Sequence, residues 1–255
     1  MPATLSPDHP LALAAVHAIH TGALDALTSL LAENPVLATA RLGDDREARS
    51  LLHVLTDWPG HFPGSAATVA ALVAAGADVD ARFVGPHAET PLHWAASCDD
   101  VEVLDALLDA GADINADGAV IAGGTPLSDA TAFGQWRAAR RLIERGARSG
   151  LWESAALGLL DRVEACFSTD PAPTTEEITG AFWGACHGGH RGTAEYLLTR
   201  GADLNWVGWD ELTPLDAAVR HGATDLVTWL RALGGRSATV ASGEGTAPHR
   251  RGEAR

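Results

Sequence analysis

Four residues of this chain carry side chains suited to acid–base or nucleophilic chemistry: Asp129, Glu153, His187 and Cys98. Two carboxylates beside an imidazole can pass protons, and a thiolate can attack an electrophile. They lie far apart in sequence, so only the fold can bring them together. None sits in a local pattern with its own mechanism: there is no phosphate-cradling loop, no HExxH and no nucleophile elbow. A second kind of chemistry is recognition. The stretch ETPLHWAASCDDVEVLDALLDAGADINA, residues 89–116, places Trp94, Cys98, Asp99 and Asp100 where a scaffold helix would carry small or solvating side chains. Asp57 and Trp58, Phe133, the segment NWVGWDE with Trp206, Trp209 and Asp210, and the pair Arg220 and His221 add aromatic and charged groups elsewhere. Indole faces next to carboxylates suit a guanidinium, which stacks and pairs at once.

The whole chain limits what such residues can serve. Its 255 residues, 46% hydrophobic, suffice for one large domain or two small ones. The formal net charge is −15, which argues against nucleic acid or an anionic membrane as the main partner. Arg250, Arg251 and Arg255 against Glu244 and Glu253 leave the last 19 residues at +1, so the body before them carries −16. Lysine is absent; with much Ala and Gly this reads as a high-GC, bacterial-type composition. No apolar run approaches a membrane span, and no basic region precedes the first apolar stretch as in a secretory signal. Three cysteines, Cys98, Cys166 and Cys186, are odd in number and lack metal or redox spacing. They fit reduced thiols in a cytoplasm, with neither metal nor cofactor expected.

Positioning must come from repeats. GAD recurs at Gly76, Gly111 and Gly201 with GAR at Gly146, and the first two steps are 35 residues each. TPL recurs at Thr90, Thr125 and Thr213. Thr can cap a helix, and Pro sits in its first turn, where a missing N–H costs nothing. The paired small residues that follow let neighbouring helices approach, the LL pair forms an apolar stripe, and Gly supplies the left-handed residue that ends the second helix. TPLHWAA followed by LLDAGADINA, TPLSDAT followed by LIERGA, and YLLTRGADLNW followed by TPLDAAV resemble the ankyrin family.

That resemblance implies an all-α solenoid of about seven helix pairs, curved, with no extended sheet. The repeats phase as roughly 9–42, 50–82, 88–117, 123–148, 150–172, 177–207 and 213–236, the second carrying an insertion around DWPGHFPGS and the fifth cut short. One domain over 1–236 and a disordered tail over 237–255 are expected. The resemblance also implies that partners bind on the concave side, lined by first helices and loops. If the residue before the small pair and the two after it face that side, the strip contains Asp57, Trp58, Trp94, Cys98, Asp129, Phe133, Glu153, His187, Arg220 and His221, with Asp99 in the place of the usual Gly. The loops at 117–124 and 205–211 flank it, the first long enough to roof a pocket or to fold against its neighbour. Trp152 and Trp183, and also Trp136 and Trp229, are expected to pack between helices. His53 and His93 are expected to bond within their own turns. Cys98 should be the accessible thiol, with Cys166 and Cys186 buried.

Two functions remain open at this level, beside an inert scaffold. One is a monomeric binding module that grips a basic, arginine-containing protein segment between aromatic anchors and carboxylates. The other is a small-ligand binder or enzyme working through Asp129, Glu153 and His187 beneath the 117–124 loop.

Overall fold

The computed structural model describes residues 3–238, so the tail expected from residue 237 lies, beyond Ala238, outside the described residues. Fourteen α-helices form seven consecutive pairs: α1 (Pro10–Thr21) with α2 (Leu24–Glu33), α3 (Leu51–Thr56) with α4 (Ser65–Ala74), α5 (Pro91–Ser97) with α6 (Val101–Asp109), α7 (Pro126–Ala132) with α8 (Trp136–Glu144), α9 (Leu151–Ala156) with α10 (Leu160–Cys166), α11 (Thr175–His187) with α12 (Arg191–Thr199), and α13 (Pro214–His221) with α14 (Thr224–Ala232). First helices stack on first helices and second on second, as a chain of repeats requires.

Local chemistry sets the helix starts. Thr90, Thr125 and Thr213 are N-caps followed by Pro, and the residue three further on reciprocates: His93, Ser128 and Asp216. Ser50 and His53 repeat the device without proline. In α9 the cap residue is Gly150, which has no side chain, so the Glu153 carboxylate alone reaches back to its N–H at 3.0 Å. The second helices of four repeats end at Gly76, Gly111, Gly146 and Gly201 with φ of 95–97°, a left-handed conformation that glycine adopts without strain.

The capping side chains also stitch repeat to repeat. His93 Nδ1 accepts from the Thr90 N–H, so its Nε2 carries the proton and donates to the Gly124 carbonyl, 3.4 Å away. His53 makes the same bond to Glu89 O at 3.1 Å. Burial lowers His53 to about 3 and His93 to about 4, so both are neutral at pH 7. Among the described residues second helices are joined by ions in one place: Arg141 of α8 and Arg145, its C-cap, both hold Asp105 of α6 at 2.7–2.8 Å.

An unexpected element is a three-stranded patch, β1 (Thr4–Leu5), β2 (Arg41–Gly43) and β3 (Ala48–Ser50), with β1 parallel to β2 and β2 antiparallel to β3. The β2–β3 hairpin alone would leave the outer edge of β2 without cover. The segment ahead of α1 supplies that cover, and unpaired strand edges need it.

The hydrophobic interior is not continuous. One cluster runs from Ala12 to Leu157 and a second from Ala155 to Leu230. They meet at α9, the first helix of the fifth repeat, where Leu157 joins the first cluster and Ala155 the second. There Asp129, Thr131 and Ser154 are fully buried, Ser128 Oγ donates to Glu153 Oε1 at 2.9 Å, and His187 Nε2 donates to the Thr131 carbonyl at 3.2 Å. A polar seam thus divides the stack into two halves.

Candidate binding surface

Matching caps fix which residues are equivalent. The residue before the small pair is Val54, Trp94, Asp129, Ser154, Gly184 and Ala217 in repeats two to seven. Val54, Asp129, Ser154 and Ala217 are fully buried, so the expectation that this position faces a groove is corrected. It lies one turn inside the helix, between neighbouring first helices. The two residues after the pair sit at the helix end, and it is they that reach the surface in repeats two to four and seven. Asp57 is half-buried, held by Arg49, and its Oδ1 accepts from the Trp58 N–H at 2.9 Å. Trp58 is 80% exposed and Phe133 40%. Cys98 is half-buried between them, its Sγ 3.5 Å from the Thr56 carbonyl. Arg220 and His221 are exposed.

Trp94 is not a free anchor. Its Nε1 donates to Glu89 Oε2 at 2.8 Å, and its ring meets His53 edge-on at 4.8 Å and Phe83 at 5.3 Å. Glu89 is fully buried and holds more than the indole: His87 Nδ1 stands 2.8 Å from Oε2, and the Val120 N–H donates to Oε1 at 3.3 Å. The long 117–124 loop is therefore tied back to the preceding repeat and does not roof Asp129 and Glu153. Sequence does not single out Glu89; its one cue there is the place immediately before the TPL cap.

The acid–base trio falls in the seam. Asp129 is buried there. Glu153 aligns with His93 and Ser128, one position earlier than its assigned place, and is a cap. His187, 8% exposed, lies between Trp136 at 5.1 Å and Trp183 at 5.2 Å. Burial, with the nearby Arg220 charge, lowers it to about 4. Asp99 is no groove residue either. It adopts φ 55°, and its Oδ1 accepts from the Ala138 N–H at 2.7 Å, so it caps α8 of the next repeat from outside. The adjacent insertion is held likewise: Asp100 Oδ2 accepts from the His61 N–H at 2.6 Å.

A second aromatic surface stands at the other end. Trp209 contacts three indoles edge-to-face, Trp183 at 5.0 Å, Trp206 at 5.3 Å and Trp152 at 5.7 Å. Trp183 is 2% exposed and donates from Nε1 to the Leu212 carbonyl at 2.9 Å. That is the bond His53 and His93 make in their repeats. Asp210 pairs with Arg220 at 2.6 Å, and His221 lies edge-on to Trp136 at 5.9 Å. Of the thiols, Cys186 is buried and its pKa raised by burial, whereas Cys166, expected buried, is half-exposed because α10 is short and ends at it.

Among the described residues no three His, Cys, Asp or Glu side chains are grouped to hold a metal ion, and no helix is long and apolar enough to cross a membrane. A model of the ankyrin repeat matches residues 88–119. The chain is 29% identical over 171 residues to the ankyrin repeat and KH domain-containing protein mask-1 of Caenorhabditis elegans, a match covering 66% of this chain and 6% of that protein. It is 40% identical over 50 residues to another ankyrin repeat and KH domain-containing protein, from Caenorhabditis briggsae, a match covering 20% of this chain and 2% of that one. The chain thus spans a small fraction of these curated relatives. Among solved structures, the human ASB11 ankyrin repeat domain superposes with a TM-score of 0.52 at 20% identity, covering 87% of this chain and 97% of that one, a likeness of fold.

Proposed function

The chain is an ankyrin-repeat protein, and we propose that it is a non-enzymatic binding module that engages a protein or peptide along the face of first-helix ends and loops. Ankyrin repeats generally mediate protein–protein binding. The observation that carries this reading is the exposure of Trp58, at 80%, in the same register as Phe133 at 40%. An indole left in water forgoes the gain of burial, and aromatic groups displayed on a soluble protein mark contact surfaces. The net charge of −15 favours a basic partner. Glu153 and His187 bond across repeats and Asp129 is fully buried, and no observation favours an acid–base reaction at them.

The test is a pull-down read by mass spectrometry with the wild type and a Trp58→Ala/Phe133→Ala double variant. Neither ring is in the buried core, so the variant should melt with the wild type while losing a polypeptide that the wild type retains. Retention of every polypeptide by the folded variant would refute the aromatic face.

A further inference from the structure

Resting on that reading, we propose that the energetic centre of the surface is the loop over residues 205–212, where Trp209 receives an arginine side chain of the partner. Trp209 remains 46% exposed although it touches three other indoles, and Val207 beside it is 53% exposed. Rigid, half-buried aromatic groups of this kind dominate binding energy at interfaces.

The platform beneath is fitted to the rings. A Cβ added at Gly180 would stand 3.3 Å from Trp209 Cη2, and one at Gly184 would stand 3.2 Å from Trp152 Nε1. Both glycines lie on α11, so the indoles rest on helix backbone and not on mobile side chains. The loop that delivers Trp209 is strained: Asp210 and Glu211 have φ of 56° and 57°, which non-glycine residues adopt at a cost. A plain connection between helices has no need of two such residues in succession.

Charge selects the occupant. Glu176 lies one helical turn before Gly180 on the same face of α11, with Glu177 beside it, and Asp210 and Glu211 border Trp209 within the loop. All four carboxylates belong to exposed residues. The cation placed among them is Arg220, which already shows the arrangement in miniature: its guanidinium lies 6.0 Å from the Trp183 ring centroid while it pairs with Asp210 at 2.6 Å. A partner arginine laid on the open side of Trp209 repeats that geometry, stacking on indole with carboxylates in reach.

The experiment selects random dodecapeptides on phage against the full chain and resynthesises the binders. The expected binders carry arginine. Trp209→Ala should weaken them about thirtyfold, whereas Trp58→Ala should leave them within about threefold. Because Trp209 also packs, a Glu176→Gln/Glu211→Gln variant, confined to exposed carboxylates, should weaken them at unchanged melting temperature and flatten the salt dependence. Arginine-to-lysine changes in the peptide should weaken binding too. Binders indifferent to Trp209→Ala but lost with Trp58→Ala would overturn the loop as the centre and leave the binding module standing. Binders without arginine, or equally strong with lysine, would overturn the assigned occupant, and failure to select any peptide would sink both readings.

Discussion

The two halves of the stack solve one structural problem with different side chains. In each, one residue of the first helix bonds the carbonyl just ahead of the next repeat's threonine cap. In the N-terminal half it is histidine, His53 to Glu89 O and His93 to Gly124 O; in the C-terminal half it is Trp183 to Leu212 O. Histidine can do a second job, because its Nδ1 accepts from the cap N–H. Indole only donates. A tryptophan there therefore leaves its helix uncapped at the usual place. The chain compensates by starting α11 earlier: that helix has 13 residues where α5 has 7, and its cap moves to Thr174 with Glu177 reciprocating. Helix length, cap and stitch change together.

The largest expected effect tests the role given to Trp183. Replacing it with Ala should lower stability by about 3–5 kcal/mol, as for other large buried aromatics. Urea titration with hydrogen exchange would show the loss concentrated in residues 155–230, where the second hydrophobic cluster lies. A uniform loss, or none, would break the comparison between the halves.

Acid probes the other half. His53 and His93 are neutral when folded, with values near 3 and 4, against an ordinary 6.5. Between 6.5 and those values the unfolded chain binds more protons than the folded one. Stability is thus fully present above about 6.5 and declines as pH falls toward 4 and then 3, by about 5 kcal/mol for His53 and about 3 kcal/mol for His93. His187 has the same sign at the seam. Chemical denaturation at pH 7, 5.5 and 4.5 should show this decline, with hydrogen exchange rising first across residues 50–125. Stability flat over that range would remove the neutral-imidazole stitch.

What could be read from sequence follows from what side chains do locally. The seven pairs were legible because caps, small pairs, LL stripes and glycines each act within a few residues. The surface was not, because it depends on depth. Trp94 and Cys98 share a helical face, but one lies under a loop and the other at the helix end, and no period distinguishes them. The fifth repeat was misplaced by one residue for lack of a threonine. Aligning Ala155 and Ala156 with Ala95 and Ala96 would have set Glu153 against His93 and exposed it as a cap. Asp99 stands where sequence predicts a groove residue, yet its job is done across a repeat boundary, on Ala138, which lies far along the chain.

The smallest expected effect concerns the seam that separates the halves. Ser128 Oγ donates to Glu153 Oε1 and accepts from the Thr125 N–H, so Ser128→Ala removes one cap bond and one bond across the boundary. Its net cost should be about 1 kcal/mol. Its value lies in where that cost falls. Repeat arrays gain cooperativity from interfaces between neighbours, and here the apolar clusters on either side do not merge. Weakening the boundary should therefore loosen the coupling between halves more than it weakens either one. Fluorescence of the C-terminal tryptophans and exchange at His53 and His93 should report midpoints further apart in Ser128→Ala than in the wild type. If both midpoints fall together by the same amount, the seam transmits folding as well as an apolar interface does, and the stack behaves as one unit despite its divided interior.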